Sequence, residues 1–148
     1  MLTLDLLSTP MNPKQLGPIS LAFVGDAVYE LMVREQLLQR TPNAPVYKLH
    51  KMSVSRVRAS AQSLGYELIE PILSEEELSI LKRGRNSHSS TVPKNADPCE
   101  YRRATGVETL FGYLYLKGEL DRIRQLFDII SSGLDAQTEK DRNTADNQ

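Results

Sequence analysis

The 148-residue chain carries 18 basic and 19 acidic side chains, a net charge of −1, and 40% hydrophobic residues. That is enough for one domain with its own core, and no apolar run reaches the roughly 18 residues of a membrane span. Cys99 is the only cysteine, which excludes an internal disulfide and a cysteine zinc site and fits a reducing cytoplasm.

Taken in chain order, residues 1–18 read as an irregular lead-in broken by Pro10, Pro13 and Pro18, with Leu2, Leu4, Leu6 and Leu7 free to pack on the core. The opening MLTLDLLSTP has no basic start, so it does not read as a secretory signal. A helix follows, ending near Arg40, and LAFVGDAVYEL (21–31) is its centre. Helical spacing puts Leu21, Val24, Val28, Leu31 and Met32 on one face, and apolar residues fill most of the rest. This predicts a central, buried helix. Pro42 and Pro45 mark a turn. A second helix is predicted from about Val46 to Leu64, with Gly65 as its stop and a short helix over Tyr66–Leu73. Ser74 and Glu77 form a capping box at the start of the next helix, which turns basic at Lys82-Arg83-Gly84-Arg85-Asn86. Residues 87–98 show no apolar period and read as a loop. A helix from about Glu100 to Leu116 ends at Lys117-Gly118. The last helix, roughly Glu119–Ser132, is capped by Gly133. No strand pattern appears, so the class is all-α. One domain is expected over 1–134, followed by a disordered polar tail over 135–148.

Charge is unevenly spread. Residues 40–103 hold eleven basic and seven acidic side chains, whereas both flanks are net acidic. A basic middle in a mildly acidic chain suits a polyanion-facing surface.

One polar stripe crosses the first helix: Asp26, Glu30 and Arg34, spaced i, i+4, i+8. Glu30 and Arg34 suit an ordinary ion pair. Asp26 is either a solvated edge residue or an acid with a task, because a buried carboxylate is costly unless it is paired or binds a metal. Gly25 costs roughly 1 kcal/mol in a helix relative to alanine, which points to close approach of a backbone or a ligand. Glu108 lies in ATGVETLFGYLYL with small residues Ala104, Thr105 and Gly112 around it, as Ala22 and Gly25 surround Asp26. Two such helices can cross closely and bring the acids together. Paired carboxylates with open space suit Mg²⁺. Two unrelated, partly exposed acids account for the residues equally well.

LAFVGDAVYEL resembles the signature helix of the ribonuclease III family, and VETLFGYLYL resembles its second acidic motif. The linking KRGRN, VPKNAD and YRRAT are similar to the short bacterial branch, Mini-ribonuclease III. The resemblance covers about residues 15–133. It implies an all-α homodimeric endoribonuclease that cleaves double-stranded RNA with Mg²⁺, leaving 5′-phosphate and 3′-hydroxyl ends. It implies catalytic and metal-binding roles for Asp26 and Glu108 and a dimer contact at Phe23. It also implies precursor 23S ribosomal RNA as substrate, with ribosomal proteins as candidate partners and no membrane association. Lys82, Arg83, Arg85, Asn86 and Lys94 are the expected RNA-binding residues. Two acids of the longer enzymes are replaced here by Ala22 and Thr105, as in the short branch. The alternative is a non-catalytic duplex-RNA or ribosome-assembly binding protein with the same fold, which those two losses favour.

Overall fold

The computed structural model describes residues 11–87 and 92–148. The leucines of the lead-in and the middle of the loop, residues 88–91, lie outside the described residues. Six helices make up the fold: α1 (Pro18–Arg40), α2 (Val46–Val57), α3 (Ala59–Ile69), α4 (Glu75–Arg85), α5 (Pro98–Lys117) and α6 (Leu120–Asp146). No strand occurs among the described residues, as the patterning predicts.

The buried centre is α5, not α1. Helix α5 packs on α1, α3, α4 and α6 and buries Val107, Leu110, Phe111, Tyr113 and Leu114. Helix α1 turns Leu21, Ala22, Gly25, Tyr29, Val33 and Leu37 inward. The expected face is thus rotated: Val24, Val28 and Met32 are only half-buried, and Leu31 is exposed. The reason is steric. The face with Ala22 and Gly25 lets α1 approach α5 most closely, and close packing outweighs the larger apolar side chains left outside.

The predicted second helix is two helices. At Arg58 the backbone is extended (φ −60°, ψ 158°), so α2 ends and α3 starts in a new direction. A straight helix could not serve both partners, since α2 lies against α1 while α3 lies against α5 and α6. The side-chain amide of Gln62 bridges the break by donating to the Val57 carbonyl (2.9 Å), one of the carbonyls a helix end leaves unsatisfied. Gly65 does not stop α3. It is a contact point, with the Ile130 side chain 3.0 Å from where a Cβ would stand.

The predicted capping box forms at α4, with Ser74 and Glu77 each accepting from the other's backbone N–H. Arg122 of α6 meets the same Glu77 carboxylate through two bonds of 2.8 Å and also donates to the Ile72 carbonyl. The end of α5 falls where expected, with Gly118 in the left-handed region (φ 86°). Helix α6, however, runs on through Gly133 to Asp146, where a cap and a disordered tail were expected. Leu134 is its last buried residue, and Asp135 is held by Arg40 (3.0 Å) and Arg56 (2.9 Å). Beyond that, every side chain is exposed. Once nucleated on the core, a helix of residues with good propensity propagates without further apolar anchors.

Candidate active site

The site is built where α1 and α5 cross. A Cβ at Gly25 would stand 1.6 Å from the Glu108 carbonyl oxygen, and one at Gly112 would stand 1.9 Å from the Leu21 carbonyl oxygen. The two backbones are therefore in direct contact, which only glycine at both positions allows. Gly25 precedes Asp26 in sequence and touches the backbone of Glu108. The crossing thus sets the two acids side by side, close enough for each charge to matter to the other.

Their environments differ. Asp26 is exposed, yet partial burial and the neighbouring Glu30 raise its carboxyl pKa. Glu108 is more enclosed. Burial first, and then the Asp26 charge, push it up to about 7, while hydrogen bonding from Gln62 acts in the opposite direction. No basic side chain compensates either acid. Glu30 does not join as a third ligand. It is engaged by Arg34 (3.1 Å) and by the Ser53 hydroxyl (3.2 Å), the ion pair that the spacing predicts.

Around the pair, Ala22 is buried and Thr105 spends its hydroxyl on the Tyr101 carbonyl of its own helix (3.0 Å). No group of three His, Cys, Asp or Glu side chains suited to a metal occurs among the described residues. The donor set is two carboxylates with an open side. That fits Mg²⁺, which keeps several waters and needs only one or two protein carboxylates, better than an ion that demands a full protein cage.

The expected RNA-facing residues do not form one uniform set. Lys82 and Arg83 are exposed on the last turn of α4, and Lys94 is exposed in the loop. Arg85 is half-buried and internally committed, donating to the Tyr66 hydroxyl (3.0 Å) and to Asn86 Oδ1 (3.1 Å). Arg85 and Asn86 line a groove of about 770 Å³ between the end of α4 and the start of α5, together with Arg102 and Arg103. Sequence reasoning quoted these last two only as part of a motif. The signal was present in YRRAT, but the groove exists only once α5 folds against α4. Arg103 is paired with Glu67 (2.6 Å), which leaves Arg102 as the more available cation. Along α5, Arg102 stands about 9 Å of helix rise from Glu108.

An all-α core with two carboxylates at a glycine-lined helix crossing is the arrangement of a ribonuclease III domain, and the Ribonuclease III domain profile matches residues 19–119. That span contains both α1 and α5. Similarity to characterised relatives is extensive. The chain is 43% identical over 122 residues to Mini-ribonuclease 3 of Clostridium tetani, covering 82% of this chain and 81% of that one. It is 46% identical over 123 residues to Mini-ribonuclease 3 of Thermoanaerobacter sp., covering 83% and 86%. A crystal structure of a Fusobacterium nucleatum protein superimposes with a TM-score of 0.73 at 33% identity, covering 81% of this chain and 95% of that one. The chain belongs to the ribonuclease III family, in its short Mini-ribonuclease 3 branch.

Proposed function

We propose that this protein is an endoribonuclease that cleaves double-stranded RNA, with Mg²⁺ held by Asp26 and Glu108. The observation that carries this reading is the α1–α5 crossing, which sets two uncompensated carboxylates together. A divalent cation relieves their repulsion and supplies, when bound, a water of lowered pKa and positive charge for the phosphate. The remaining work falls to the chain itself. The crossing fixes the two acids on rigid helices, and Gln62 and the Glu30–Arg34 pair border them. Product ends of 5′-phosphate and 3′-hydroxyl, precursor 23S ribosomal RNA as substrate, assistance by ribosomal proteins and a cytoplasmic location complete the proposal. Incubation of purified protein with a long RNA duplex tests it: cleavage should require Mg²⁺ and stop in EDTA. Tight duplex binding without cleavage would establish the binding-protein alternative, which Ala22 and Thr105 favour.

Duplex RNA is recognised by shape and phosphate contacts, and we assign Lys82, Arg83, Arg85, Asn86 and Lys94 to that surface, with Arg102 added from the groove. Lys82→Ala/Arg83→Ala should weaken duplex binding and flatten the salt dependence by roughly one unit of slope per lost phosphate contact. Lys82 and Arg83 are fully outside the core, so the fold should be unaffected. Unchanged affinity and slope would mean these cations face only solvent.

Homodimer formation belongs to the same reading. Phe23 is 83% exposed, and Ile19 and Leu31 share its side of α1. An exposed aromatic on a rigid helix is suited to a two-fold contact in which each copy fills the other's socket. Phe23→Ala should weaken the dimer by about 2–4 kcal/mol with little change in monomer stability. Sedimentation at micromolar concentration reads this directly, and a monomeric wild type would remove the assignment.

A further inference from the structure

Gln62 is 2% exposed, on the first turns of α3 directly after the break at Arg58. Such a polar side chain normally has every bonding group satisfied. Its amide nitrogen donates to the Val57 carbonyl at 2.9 Å and also lies within hydrogen-bonding reach of the Glu108 carboxylate. Its Oε1 is buried without a partner among the described residues. Beside it, Tyr29 is 1% exposed, and its hydroxyl likewise has no partner. Tyr29 feels the charge of Glu108, so two buried polar side chains from two helices converge on the enclosed side of the same carboxylate. Leucine or methionine would fill the Gln62 space without leaving an orphaned oxygen. Helix-capping alone does not account for the residue either, because most helix ends are satisfied by water or by short local bonds.

We infer that Gln62 is a positioning residue for Glu108. Anchored to the end of α2 by the Val57 carbonyl, its amide fixes the carboxylate from behind and keeps the oxygens turned toward Asp26. This rests on the metal-site reading of Asp26 and Glu108. Partners that orient a ligand from behind typically change metal affinity or activity 10–100-fold when removed.

The experiment titrates Mg²⁺ alone, without RNA, and follows the thermal unfolding midpoint, since a ion that binds only the folded state raises that midpoint with concentration. Gln62→Met removes the amide at similar size. The Mg²⁺ concentration giving half the stabilisation should rise by roughly 10–100-fold, beyond any change in the midpoint measured in EDTA. In a Glu108→Gln background the same substitution should produce no further shift, because the carboxylate it positions is gone. A purely structural role predicts the reverse: a lower midpoint in EDTA and an unchanged Mg²⁺ requirement, which would overturn the inference. Gln62→Asn, which keeps an amide one methylene short, gives the same reading if the methionine variant does not fold. Failure of both to fold would make Gln62 a structural plug and also overturn it. If wild-type protein shows no Mg²⁺ response that Glu108→Gln removes, the metal site itself fails. If that response exists and Gln62→Met leaves it alone, only the positioning role fails.

Discussion

Asp26→Asn and Glu108→Gln should each slow cleavage of duplex RNA by about a thousandfold or more while the protein stays folded. Both substitutions keep side-chain size and remove one of the two charges proposed to hold Mg²⁺. The ion's contribution to transition-state charge stabilisation is several kcal/mol, and about 1.4 kcal/mol is a factor of ten in rate. Duplex binding should persist or tighten, because a negative charge facing phosphate has been removed. Stability supplies a second signature. Glu108 has a folded pKa raised to about 7 from an ordinary 4.5 by burial and by Asp26. Its carboxyl therefore favours the fold below about pH 4.5, and that advantage is lost as pH rises through 7. Without metal, Glu108→Gln should accordingly be more stable than wild type at pH 8, by on the order of 2 kcal/mol, and the difference should vanish near pH 4. Glu30→Gln is the internal control. It loses only a surface pair with Arg34 and a bond from Ser53, so a modest effect is expected. Near-wild-type cleavage by Asp26→Asn in Mg²⁺ would end the catalytic assignment, and unfolding of that variant would make Asp26 structural.

The second large effect concerns the crossing itself. Gly25→Ala would normally stabilise a helix interior by roughly 1 kcal/mol. Here the new Cβ would stand 1.6 Å from the Glu108 carbonyl oxygen, 2.6 Å from its carbon and 2.8 Å from the Gly112 nitrogen. All three are backbone atoms of a packed helix and cannot swing aside. The helices must separate by more than an ångström, so the overpacking cost exceeds the propensity gain: a net loss of about 3 kcal/mol or more is expected. Displacement of the acids on that scale should also cost cleavage about a hundredfold in whatever fraction remains folded. Gly17→Ala is the control, because nothing lies within 4 Å of its Cβ position, and a change within about 0.5 kcal/mol is expected. Denaturant unfolding of the two variants decides the matter. Equal stability of Gly25→Ala and wild type would mean that α1 and α5 do not touch where the acids sit.

Periodicity, capping and composition determined the all-α class, the span of α1, the Ser74–Glu77 start of α4 and the Gly118 end of α5. Each of these is written in residues within one helix turn of one another, so local physics suffices. The two acids and the glycine beside the first were equally legible, because a costly glycine and an isolated carboxylate in an apolar helix both demand an explanation. Local pattern failed where the deciding partner was distant. The apolar stripe of α1 was assigned to Val24, Val28 and Leu31, whereas the small residues Ala22 and Gly25 face inward because α5 comes close only there. Arg58 breaks a helix that its own sequence would continue, since α2 and α3 must reach different neighbours. Gly65 and Gly133 read as stops but are contact points inside α3 and α6, visible only once Ile130 and Leu68 are seen packed against them. The environment of Glu108 belongs to the same class. Its burial, its proximity to Asp26 and the amide of Gln62 come from three helices far apart in sequence, and electrostatics depends on distance in space rather than along the chain.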